Sequence, residues 1–270
     1  MNARRTRFAI LGGVLTLALA GCGGSDASCA PAAGGAPGAI EAPDDCAVSA
    51  VIAIDATGAV ADMTLARDVS SAALRAAEHT VTAGGHLRVF VFAGDANAVE
   101  VIYDDEVPTL KESDETRRGP EEQALRSALA GTLDSALGVT RDDPELTARV
   151  RELTRGGTSD IARAVRNGLR TLASRPGAKA MTLVSDGVQA SDQLMLEQRV
   201  AAGDSSEDIG DDLGELLGAA SDVDVMQVAG LGRLPDRVNQ SAKRTDALVE
   251  IWTTACERAG AARCAMTTEL

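Results

Sequence analysis

Asp55 closes the apolar run Val48-Ser49-Ala50-Val51-Ile52-Ala53-Ile54, and Thr57 follows two residues later. Far along the chain, Gly156-Gly157-Thr158 precedes a helix-like segment, and Met181-Thr182-Leu183-Val184 runs into Ser185-Asp186-Gly187. A carboxylate directly after a buried strand is costly unless it is exposed at the strand end or paired. Each residue taken singly has a plain explanation: Asp55 and Asp186 as turn residues, Thr158 as a helix cap. Their conjunction says more. In a parallel α/β sheet the carboxyl ends of the strands face one crevice. Two carboxylates and two hydroxyls gathered there, from Asp55, Asp186, Thr57 and Thr158, suit a hard cation such as Mg²⁺ or Mn²⁺.

The elements that must position these residues follow from pattern and punctuation. Val48–Asp55 is continuously apolar, as in a strand covered on both faces. Met63 to about Val81 is Ala-rich and helical, with Leu65, Val69, Ala72, Ala73 and Ala76 on one face. His86–Ala93 and Ala98–Tyr103 read as an antiparallel hairpin about Gly94-Asp95-Ala96-Asn97. Asp104 to Gly119 reads as a charged loop. Pro120 with Glu121 and Glu122 starts a helix to about Leu137, and a short helix follows Pro144. Thr158 or Ser159 caps a helix from Asp160 to Ala173. Ala180–Asp186 and Val223–Val228 are strands, and Ala265–Thr268 is a short edge strand. Ser191–Val200, Ile209–Ala219 and Lys243–Ala259 are helical; the last turns Leu248, Ile251, Ala255 and Cys256 inward, with Trp252 packing beside them. This alternation predicts an α/β fold, a doubly wound and mostly parallel central sheet with helices on both faces and one antiparallel edge strand.

The three segments resemble the von Willebrand factor type A domain family. Its metal-ion-dependent adhesion site takes Asp-x-Ser-x-Ser after the first strand, a Thr from a Gly-Gly-Thr-like turn, and Asp-Gly after the fourth strand. Here those positions hold Asp55, Thr57 and Ala59, then Thr158, then Asp186-Gly187. The resemblance covers about Val48 to Glu269 and implies a metal-assisted protein-binding module rather than an enzyme, with a partner's carboxylate completing the cation's shell. Thr57 keeps a hydroxyl where the family has Ser. Ala59 does not, so one direct ligand is missing. A water can fill the gap, since Mg²⁺ keeps several waters; otherwise Asp55 and Asp186 serve only local hydrogen bonds.

Residues 1–21 read as a signal segment: Arg4, Arg5 and Arg7 precede an apolar stretch, Phe8 to Ala20, too short to span a bilayer. Leu19-Ala20-Gly21-Cys22 resembles the bacterial lipobox, which implies lipidation of Cys22 and an extracytoplasmic, lipid-anchored place in a bacterial cell envelope. Residues 22–46, rich in Gly, Ala and Pro, read as a flexible tether, and 47–270 as one domain. The formal net charge of −14 becomes more negative once the signal, with its three Arg and no acid, is removed. Such a chain repels nucleic acid and anionic head groups, so lipid must hold it to the membrane. Cys29, Cys46, Cys256 and Cys264 allow three disulfide pairings, of which nearest-neighbour pairing is preferred, with buried free thiols the alternative.

Other chemistries find less support. His79 and His86, the only histidines, are expected at the surface or a strand edge, and no Cys/His spacing suggests zinc. Scarce aromatics argue against a stacking platform for bases or sugars. Gly230-Leu231-Gly232-Arg233-Leu234-Pro235 lacks the third glycine of a dinucleotide loop and reads as a turn. The acidic residues Glu207, Asp208, Asp211 and Asp212 lack calcium-loop spacing and read as solvated surface. The main alternative is a Mg²⁺-dependent phosphotransferase or phosphatase of haloacid-dehalogenase type, using Asp55 and Asp186. That chemistry needs a second Asp where Thr57 stands and a Lys at a strand top, whereas Lys179 precedes its strand. A metal-free binding scaffold is the third possibility. Replacing Cys22 by Ser is expected to release the protein from the membrane fraction; a variant that stays membrane-bound would refute the lipid anchor.

Overall fold

The computed structural model describes residues 29, 31–34, 39–43, 46–94, 98–108, 115–156, 159–233 and 241–270. The signal segment, Cys22, the Asp95-Ala96-Asn97 turn and Thr158 lie outside the described residues.

Strand β1, Val48–Asp55, is buried along its whole length. Its side chains alternate between two cores: Val48, Ala50, Ile52 and Ile54 enter one, and Val51 and Ala53 the other. That is the period-2 geometry of a strand with both faces covered. Around it lie β2 (Gly85–Phe92), β3 (Val99–Val107), β4 (Ala178–Val184), β5 (Val225–Ala229) and β6 (Cys264–Thr267), in the order β3-β2-β1-β4-β5-β6. All neighbours run parallel except β2 and β3. Helices α1 (Met63–Ala83), α2 (Glu115–Ala136) and α3 (Pro144–Leu153) supply the first core. Helices α4 (Ile161–Ala173), α6 (Ser206–Leu217) and α7 (Ala242–Ala259) supply the second, with α5 (Leu196–Ala202) between α4 and α6 in sequence. The expected doubly wound α/β fold is therefore present, and the antiparallel β3 is one edge of the sheet.

Several local expectations change. The acidic stretch after Tyr103 is strand, not loop, as far as Val107. Asp104 is paired across the ladder: His86 Nε2 and Arg88 Nη1 each lie 2.9 Å from one of its carboxylate oxygens. Arg175 Nη1 donates to Glu106 at 2.9 Å. Cross-strand pairing of opposite charge makes such a sequence a viable edge strand. His86 is consequently buried, only 2% exposed, rather than at the surface. Helix α2 begins at Glu115, so Pro120 falls inside it instead of opening it. Helix α4 is capped by Asp160, whose carboxylate accepts from Arg163 N–H at 3.3 Å, so the cap is not Ser159, and Thr158, the other expected cap, lies outside the described residues. The segment expected as helix from Ser191 opens as a small hairpin, Ala190–Ser191 against Leu194–Met195, before α5. Helix α6 starts earlier than expected because Ser205 caps it, accepting from Asp208 N–H at 3.1 Å.

Part of the segment read as tether lies on the domain. Ala32–Ala33 pairs with Ile40–Glu41, and Ile40 is buried in the first core. Arg263 holds the Pro31 carbonyl at 2.8 Å. The cysteines pair as nearest neighbours: Cys29–Cys46 fastens this hairpin, and Cys256–Cys264 joins the end of α7 to β6. Closing a loop of this order contributes about 3 kcal/mol in the chain-entropy account. Alkylation of the unreduced protein should find none of these four thiols free, and reduction should lower the melting temperature. Labelling of two or more of them would contradict the pairing.

Candidate functional site at the reversal of strand order

Strand order reverses between β1 and β4: from β1 the chain builds outward through β2 and β3, then crosses back to β4. Crevices in open α/β sheets form at such points, beyond the carboxyl ends of the strands. Asp55 stands there, 6% exposed, at the end of β1. Ile54 pairs with Val184, so Ser185-Asp186 leaves β4 at the same level.

Three separate segments satisfy the Asp55 carboxylate. Thr57 N–H donates to Oδ1 at 2.8 Å and Ser159 Oγ to the same oxygen at 3.0 Å. Ser185 Oγ donates to Oδ2 at 3.0 Å. Thr57 Oγ1 and Ser159 Oγ lie 2.6 Å apart. Ser159 gives its single proton to Asp55, so the Thr57 hydroxyl is the donor in that contact. Ser159 is itself held by the sheet, since it bridges to Gly94 beyond β2 and its carbonyl accepts from Ala190 N–H at 2.9 Å.

Asp186 sits in a tight turn. Its Oδ1 accepts from Val188 N–H at 2.9 Å, and its carbonyl from Gly232 N–H at 2.9 Å. Gly187 follows at φ +77°, where a Cβ would lie 2.3 Å from Leu231 Cδ2 and 2.8 Å from Trp252 Nε1. Only glycine fits that position. Trp252 is fully buried in α7 and donates from Nε1 to the Gly187 carbonyl at 2.9 Å. Its packing role thus includes bracing the turn that carries Asp186.

The two acids disfavour each other's charge. Burial raises the pKa of Asp55, against hydrogen bonds from Thr57, Ser159 and Ser185 that lower it. Burial first, then the Asp55 charge, lifts Asp186 from 3.8 to about 7. A cavity of about 20 Å³ lies between them, lined by the oxygen-bearing Asp55, Thr57, Ser185 and Asp186, by Gly230 and Arg233, and by the apolar Ala59, Leu65, Val69 and Leu270. That volume accommodates about one water-sized occupant. Oxygen donors around one water-sized space, with two mutually repelling carboxylates and the exposed Arg233 also on the lining, suit a small hard cation. Ala59 adds nothing to the donor set, as its side chain belongs to the first core.

The structure thus brings together Asp55, Thr57 and Asp186, while Thr158 is outside the described residues. Ser159 and Ser185 are the hydroxyls that sequence reasoning did not assign to the site. Ser185 is adjacent to the Asp186-Gly187 signal, whereas Ser159 reads from sequence as a helix cap. Elsewhere, His79 is half-buried and its Nε2 meets the Cys46 carbonyl at 2.8 Å. Lys179 lies at the amino end of β4, opposite the crevice, and pairs with Asp222 at 2.7 Å. Lys179, the lysine considered for the phosphotransferase alternative, is therefore not at the site. Among the described residues, no group of three or more His, Cys, Asp or Glu side chains is placed to hold a metal, so any cation here relies on hydroxyls and water besides its two acids. No helix among them is long and apolar enough to cross a membrane.

The Asp186 shift makes a signed prediction for the chelator-treated protein. The folded state keeps this proton to about pH 7, whereas the unfolded chain loses it near the ordinary value of 3.8. The folded state binds more protons in that window, so this group's contribution to stability falls as pH rises through it. Asp186→Asn is therefore expected to gain stability relative to wild type between those limits, read as the difference in urea midpoint. A difference that does not change with pH would contradict the shift. No protein-family model matches the sequence and no curated protein matches it.

Proposed function

We propose that the chain is a membrane-anchored, extracytoplasmic protein-binding module of von Willebrand factor type A kind. Its adhesion site holds Mg²⁺ or Mn²⁺ and meets a carboxylate of a protein partner. The observation that carries this reading is the meeting of Asp55, Thr57, Ser159, Ser185 and Asp186 at the one point where the strand order reverses. Asp55 and Asp186 would supply charge, Thr57 and Ser159 neutral oxygens, and water the place left by Ala59. Thr158 stays in the proposed set on the strength of the family's Gly-Gly-Thr-like turn. The partly formed ligand set makes the site a weak one. Two disulfides and the lipobox-like Cys22 support an exported, lipid-anchored protein.

Cation binding should stabilise the fold by RT ln(1 + [L]/Kd), about 2.7 kcal/mol at a hundredfold excess over Kd. Titration calorimetry and thermal shift with millimolar Mn²⁺ should show binding to wild type that EDTA reverses. Asp186→Ala should abolish it, and Ala59→Ser should tighten it by adding a hydroxyl oxygen. Absence of heat and of any thermal shift in wild type would overturn the metal site. If Ala59→Ser alone gained binding, the chain would be a degenerate member of that family.

A further inference from the structure

The cavity between Asp55 and Asp186 has an apolar side to which Leu270, from the segment after β6, contributes. That segment is stitched to the turn after β5. The Thr267 carbonyl accepts from Gly230 N–H at 3.0 Å and from Leu231 N–H at 3.1 Å. Arg233 Nε donates to the Thr268 carbonyl at 3.1 Å. Gly230, at φ +93°, leaves the seat for the leucine: a Cβ there would lie 2.7 Å from Leu270 Cδ2 and 3.2 Å from the Ser185 carbonyl. Leu270 packs against the core that also includes Ala59, and both line the cavity. A hydroxyl is thus missing from the proposed cation shell on a cavity that a leucine helps to line.

We propose that Leu270 is a plug for the Asp55–Asp186 crevice, seated on Gly230, and that carboxylate ligands reach the site only when it swings out. The cavity of about 20 Å³ takes a cation or a water, but not a carboxyl group as well. The apolar wall that includes Ala59 favours the closed state, because leaving it returns leucine surface to water. A ligand that needs the open form then binds with an affinity reduced by the open fraction. What enters the crevice rests on the function proposed above; the plug itself does not.

The plug is tested without metal. Ser185→Cys places a thiol on the cavity, and its alkylation rate by iodoacetamide is measured in EDTA, with the chain lacking this substitution as background. With Leu270 in place the thiol should react slowly. Adding Leu270→Ala should raise the rate at least tenfold, and Leu270→Met should restore protection. Thr57→Cys, read the same way, replaces Ser185→Cys if that variant melts early. A rate within twofold for Leu270 and Leu270→Ala, or a thiol already as reactive as a free one, would overturn the plug. In wild type with Mn²⁺, Leu270→Ala should also raise the affinity for acetate, read from Mn²⁺-dependent calorimetry. Loss of Mn²⁺ binding with the thiol result intact would overturn the cation reading and leave the plug standing.

Discussion

A carboxylate buried at the end of the central strand constrains the rest of this fold. Asp55 would be costly there without partners. Its three hydrogen bonds come from the turn after β1, from the residue before the α4 cap, and from the end of β4. Those segments are 104 and 130 residues away from Asp55 for the two serines. Satisfying one charge therefore fixes how the two halves of the sheet meet. Charge-assisted hydrogen bonds are stronger than neutral ones, which suits such long-range closure.

The core gains its density from small residues. Only five Phe, Tyr and Trp side chains serve the whole chain. Helix α1 approaches the sheet on Ala66, Ala72, Ala73, Ala76 and Ala77, all buried. Alanine on a helix face permits close approach and keeps helix propensity high. The large side chains concentrate on the other face, where Phe90, Phe92 and Trp252 join the second core. Trp252 is the one aromatic there with a polar reach to the site loops, and its indole N–H is used on Gly187.

Much of the fold was legible because its signals are local. Val48–Asp55 and the strand leading to Asp186 are short apolar runs ended by an acid, and α1 and α7 carry a clear 3.6-residue face. Asp55 and Asp186 were legible for the same reason. Ser159 was not, because the choice between capping α4 and turning to Asp55 depends on Asp160 taking the cap and on the bridge to Gly94. The acids Asp104 and Glu106 resembled a loop because their partners, His86, Arg88 and Arg175, come from other elements. Pro120 suggested a helix start by itself, but it lies inside α2, near its N-terminal end, at the cost of a backbone hydrogen bond and a clash with the carbonyl four residues earlier.

The Cys256–Cys264 bond acquires a mechanical meaning in this setting. It ties the last turns of α7 to β6. Four residues before Cys256, Trp252 grips the Gly187 turn, while the chain leaving β6 supplies Leu270. Both rims of the crevice thus hang from one cross-braced lever. Because β6 is hydrogen-bonded into the sheet, the bond holds α7 against the sheet edge and keeps the spacing between the Trp252 brace and the Leu270 segment fixed.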